Sequence, residues 1–174
     1  MDFITGFHKY LGKDCIYVVV DRLKKFAHFF FVTSYFSAAQ VADIFFKEIF
    51  RLHGLPKSIV SNRDSRFMSA FWKEIFRLVG NQLNPSTIYH PQNYGKMERV
   101  NQWLEGYLIN YVGMKQKAWE KWLHLGEFCY NTTFHMSVGM SPFKELYGYD
   151  ALSFVDMIFG DSIAPKSKDW VEER

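Results

Sequence analysis

The chain has 174 residues with 21 basic and 18 acidic side chains, a net charge of +3 that permits nucleic-acid binding without arguing for it. A composition of 48% hydrophobic and 22% charged residues is that of one globular domain and excludes a disordered chain. No apolar run approaches the ~20 residues that span a bilayer, the start MDFITGFHKYLGK is no signal peptide, and two cysteines without CxxC spacing offer neither a disulfide framework nor a zinc site, so a soluble, intracellular protein is expected.

The first third reads as strands. Asp2–Thr5 is short and rich in β formers, Cys15–Val20 is a continuous apolar run of the kind covered on both faces, and Phe26–Thr33 is a third. Polar connections at Gly12–Asp14 and Asp21–Lys24 make a three-strand meander, with Asp21 in a turn role. Ser37 and Gln40 have the form of a capping box. Ala38, Val41, Ala42, Phe45, Ile49 and Leu52 then recur at helical spacing, and Gly54 with Pro56 ends the helix just after His53.

Lys57–Ser61 reads as a short buried strand. Met68, Phe71, Trp72, Ile75, Phe76 and Val79 form one stripe of a second helix, and Leu83–Ile88 is a further strand. Tyr89–Gly95, with His90 and Pro91, is a loop. A long helix follows from about Lys96 to Val112. Its core stripe is Val100, Trp103, Leu104, Tyr107, Leu108 and Tyr111, while Glu98, Gln102 and Glu105 share another face. Trp119–Tyr130 is expected as a helix apolar on more than one side, with His124 an interior group. Ser141 and Pro142 form an N-cap with proline at N1. The charged tail from Ser162 reads as loose.

Three segments stand out as a set: Met1–Ile4, then IVSNRDSRF over 59–67, then YHPQNYGKMERVN over 89–101. In order and spacing they resemble the three acidic motifs of the integrase catalytic core of gypsy-type long-terminal-repeat retrotransposons, which is related to retroviral integrases. The similarity continues through Ile16–Phe30, Phe46–Pro56, Trp119–Thr132 and Ser141–Leu152. The resemblance implies an α/β fold, an RNase H-like mixed sheet flanked by helices with a helical C-terminal half. The core domain would span 1–155, its start truncated because Asp2 directly follows Met1, and 156–174 would be a tail.

The activity the resemblance implies is a Mg²⁺- or Mn²⁺-dependent polynucleotidyl transferase that joins element DNA ends to target DNA, in a nuclear setting and as a homodimer or larger multimer. The family's catalytic set is two aspartates and a glutamate, with 35 residues between the second and third. By motif these fall on Asp2, Asn62 and Glu98, and 35 residues do separate 62 from 98. The register is intact and the residue type has changed. Asp2 and Glu98 would ligate metal, and a first residue next to the terminus is expected to be poorly held.

Carboxylates belong at such a site because in-line attack on a phosphodiester needs a generated nucleophile and a stabilised leaving oxygen, which paired divalent ions supply. Asn62 offers only a neutral carbonyl oxygen, so impaired catalysis is expected. Asp64 falls in the following turn, some ~6–7 Å further along if the strand ends at 62, and is not read as a substitute. Arg63, Lys96, Arg99 and Gln102 are candidate DNA contacts, Tyr94 a candidate base-stacking residue; for Arg63, Arg66, Lys96 and Arg99, ordinary surface charge is the alternative. A non-catalytic nucleic-acid-binding or protein-interaction remnant is the second reading of the whole chain. An RNase H-type nuclease is disfavoured by the sequences HPQ and ERVN.

Overall fold

The computed structural model describes residues 1–61, 63, 65–79, 97–112 and 119–152. Its strands are β1 (Asp2–Tyr10), β2 (Lys13–Val20) and β3 (Ala27–Val32), an antiparallel meander in the order β1-β2-β3. The β1–β2 connection is tighter than the polar stretch at 12–14 suggests. Tyr10 pairs with Lys13 across a two-residue turn, with φ of 48° at Leu11 and 83° at Gly12. Positive φ at both central residues gives the twist that suits a hairpin.

The capping box at Ser37 and Gln40 is formed on both sides and opens α1 (Ala38–Ile44). The helix then widens into a π-helical turn, Phe45–Phe50, before α2 (Arg51–His53) ends at Gly54 with φ 74°. The apolar stripe holds to Ile49 and then breaks, because Leu52 is 52% exposed. A π turn inserts an extra residue per turn, so His53, in place of Leu52, faces the sheet and meets His28. The remaining helices are α3 (Ser65–Leu78), α4 (Met97–Val112), α5 (Trp119–Thr132) and α6 (Pro142–Tyr147), the last capped by Ser141 and closed by Gly148 at φ 83°.

Alternation along β2 divides the core in two. Cys15 and Tyr17 point into a cluster with α1, the π turn and α3, through Val41, Phe45, Met68, Phe71 and Trp72. Ile16 and Val18 point the other way, to Val100, Leu104 and Tyr107 of α4 and Leu123 and Tyr130 of α5. The sheet is thus the middle of three layers, which is why β2 reads as an unbroken apolar run. Burial pushes the Cys15 thiol up to about 11, so it is a neutral core group.

Three expectations need correction. Lys57–Ser61 is irregular and not a strand, and Val60 O accepts from Met1 N at 2.6 Å. The three strands among the described residues form an antiparallel sheet. Leu83–Ile88 lies outside the described residues. The start is not frayed: Met1 is buried, Tyr17 Oη donates to its sulfur at 3.3 Å, and Asp2 is in register with Val18. On α5 the buried positions Leu123, Gly126 and Tyr130 form one stripe, so Phe128 is 40% exposed, and His124 lies on the outer side with its ring against the edge of Phe31.

Candidate functional site

β1 carries Asp2 at its first residue, and the side chain is half-buried. Its Oδ1 accepts from Phe3 N at 2.8 Å, and its Oδ2 accepts from Asn101 Nδ2 at 2.7 Å. Asn101 is three residues past Glu98 on α4, so this bond ties the start of β1 to the opening turns of the helix that bears Glu98. Glu98 is exposed in the first turn of α4, where a carboxylate suits the positive end of the helix dipole. Gln102 Nε2 reaches its Oε1 at 3.5 Å.

Asn101 is the residue that motif reasoning passed over. Its spacing from Glu98 was the available signal, since i and i+3 lie on one side of a helix. The amide is fixed at one end only: Asn101 Oδ1 is buried and has no hydrogen-bond partner among the described residues.

Ahead of position 62, Val60 O accepts from Met1 N, the residue before Asp2. Arg63 N donates to Ser61 Oγ at 3.2 Å. The Arg63 guanidinium lies 4.5 Å from the ring centres of Phe3 and Phe36 and 5.6 Å from that of Phe67, so cation–π contact seats it beside the strand of Asp2. Arg66, Arg99 and Gln102 are exposed. Asn62, Asp64, Tyr94 and Lys96, with the loop residue His90, lie outside the described residues. Of the core aromatics expected on α4, Tyr107 is buried and Trp103 half-buried against it, their rings stacked at 5.4 Å.

Two oxygen-bearing carboxylates, one half-buried and tethered, the other exposed and without an ion pair among the described residues, suit a hard divalent ion. They make a sparse donor set. Among the described residues no group of three or more His, Cys, Asp or Glu side chains is placed to hold one ion, and the residue the motif sets between them is an asparagine.

No protein-family model matches the chain. It is 30% identical over 174 residues to the transposon Tf2-3 polyprotein of Schizosaccharomyces pombe, and equally to the Tf2-4 polyprotein. Each alignment takes in 99% of this chain, which spans only 13% of either polyprotein. Among solved structures, the HTLV-2 integrase catalytic core domain in complex with magnesium, in its dimeric form, superposes with a TM-score of 0.57 at 17% identity, over 84% of this chain and 93% of that one. The simian T-cell lymphotropic virus intasome in complex with PP2A regulatory subunit B56 gamma gives 0.63 at 13% identity, over 87% of this chain and 55% of that one. Such likeness shows the fold: the chain has the architecture of an integrase catalytic core.

Proposed function

We propose that the chain is the integrase catalytic core of a gypsy-type long-terminal-repeat retrotransposon, a DNA strand transferase whose site is impaired by Asn62. The observation that carries this reading is the 2.7 Å bond from Asn101 to Asp2, which draws β1 and the start of α4 together. The Met1–Val60 bond supports it, by bringing the chain ahead of position 62 to the same strand end.

Asp2 and Glu98 would hold Mg²⁺ or Mn²⁺, with the Asn62 carbonyl oxygen as a weak third donor. When bound, the metal would supply a generated nucleophile and charge stabilisation at phosphorus. The chain's own part is positioning. Asn101 holds one oxygen of Asp2, and Gln102 steadies Glu98. Arg99 and Gln102, exposed on α4, with Arg63, Lys96 and Tyr94 near the same motifs, would meet the DNA backbone and the bases of the element end. The chain would act as a homodimer or larger multimer, a reading supported by likeness to the HTLV-2 core, solved in dimeric and trimeric forms. Work on chromosomal DNA would place the chain in the nucleus. No helix among the described residues is long and apolar enough to cross a membrane.

Replacing the central carboxylate by an amide removes one negative charge from a site meant for divalent cations, and one lost electrostatic contact of this kind costs about 10²–10³ in rate. A strand-transfer assay on element-end oligonucleotides with Mg²⁺ or Mn²⁺ should therefore show Asn62→Asp at least about a hundredfold faster than the unaltered chain. Equal rates would refute the impairment. The second reading, a DNA-binding remnant, is favoured by Asn62 itself; inactivity of both proteins, with DNA retained at low salt, would select it.

A further inference from the structure

Glu127 of α5, His28 of β3 and His53 at the end of α2 form a chain of contacts away from Asp2 and Glu98. Glu127 Oε1 is 3.1 Å from His28 Nδ1, and its Oε2 accepts from Phe29 N at 2.8 Å. On the other side of the ring, His28 Nε2 stands 2.9 Å from His53 Nε2. An ionised carboxylate only accepts, so His28 Nδ1 carries a proton. The two facing Nε2 atoms then share one proton, whichever ring owns it. Full protonation of both rings turns the N–H···N bond into two opposed N–H groups on two cations.

That second charge is disfavoured by partial burial and by the facing ring, although His53 itself is an exposed residue. Phe26 lies 5.1 Å from the His28 ring and 6.3 Å from the His53 ring, Phe30 stacks on His28, and Tyr147 of α6 packs on Phe26. Two charged groups of the β2–β3 turn, Asp21 and Lys24, also act on His53, and Asp21 Oδ1 is already held by Leu23 N and Lys24 N. Glu127 is the charged group facing from α5, and Arg51 on the helix itself pairs outward with Glu48. Burial, then the facing His28, pull the His53 imidazole below its ordinary value; Asp21 opposes this and Lys24 adds to it.

His53 is also where the helix ends. Gly54, at φ 74°, sends the chain toward Val60 and the start of β1. The π turn put His53 here, and the contact fastens that helix end to the sheet. We propose that His28 and His53 form a proton-bridged latch, aimed by Glu127, which holds the end of α2 against the sheet at neutral pH and releases it when both imidazoles are protonated. The latch does not rest on the transferase reading. Its linkage has a definite sign: a depressed folded-state value means its contribution is full above the ordinary histidine range and is lost as pH falls through the value in the fold.

The test uses the whole chain. Histidine side-chain NMR and amide hydrogen exchange over residues 49–54 would be followed from pH 8 to 5, for the unaltered protein and for His53→Phe, which keeps a ring and removes both nitrogens. The expected result is a His53 midpoint below the ordinary ~6.5, with amide opening, corrected for intrinsic rate, rising about tenfold between pH 7 and 5. In His53→Phe the helix end should be open to a similar degree at both pH values. A His53 midpoint at the ordinary value with pH-independent protection would overturn the latch, and so would an identical pH profile in His53→Phe. The first of these readings needs no variant to fold.

Discussion

Asn131 shows how one polar side chain can be worth burying. It is 3% exposed on α5, and its amide closes a two-way clamp on Ala27 of β3, accepting from the backbone N–H and donating to the carbonyl, each at 2.8 Å. Four residues earlier on the same helix, Glu127 takes the N–H of Phe29. Alternate residues of an edge strand turn their backbone groups outward, and here helical side chains cover them, which protects the edge from pairing with another chain. Asn131→Leu would keep the volume and leave both Ala27 groups buried and unpaired. A loss of about 2–4 kcal/mol is expected in urea unfolding, with unchanged slope. A loss below about 0.5 kcal/mol, within the range of surface substitutions, would mean the clamp contributes nothing.

At the scale of elements, the closeness of α4 and α5 is set by a missing side chain. A Cβ on Gly126 would stand 2.9 Å from Tyr107 Cε1 and 3.6 Å from Leu104 Cδ1. Tyr107 is stacked on Trp103 and buried, so its ring has little room to yield. Overpacking costs about 1–3 kcal/mol, against a gain of about 1 kcal/mol in helix propensity. Gly126→Ala should therefore destabilise by up to about 2 kcal/mol. Gly106 on α4 is the control: nothing lies within 4 Å of its added Cβ, so Gly106→Ala should stabilise by about 0.5–1 kcal/mol. Thermal unfolding of the two variants checks both signs, and a stabilised Gly126→Ala would contradict the close approach.

Elements also divide what could be read in the sequence from what could not. The capping box at Ser37, the stripe of α3 and the proline-led start of α6 depend on residues within a few positions of one another, and all were legible. The π turn was not, because Phe45–Phe50 shows the same apolar spacing as an ordinary helix until Leu52 fails to bury. The extension of β1 to Tyr10 depends on pairing with β2 around a register shift between Thr5 and Tyr10, which weakens any simple alternation. Long-range side-chain contacts were invisible: His28 meets His53 across 25 positions and Glu127 across 99.

For the whole molecule, the arrangement is three-layered. The sheet separates the α1–α3 layer from the α4–α5 layer, and Asp2 sits at the end of β1, where the start of α4 and the chain through Val60 both reach it. Asn101, the partner that ties Asp2 to α4, emerged only from the fold. The proposed transferase requires Asp2, position 62 and Glu98 to share one cation. Paramagnetic broadening of backbone amides by Mn²⁺ in Asn62→Asp tests this directly. The amides of Asp2, Asp at position 62 and Glu98 should broaden together at the lowest Mn²⁺ concentration, with far weaker broadening in the unaltered chain. Broadening at only one of the three positions, or first at sites elsewhere, would contradict a shared metal site.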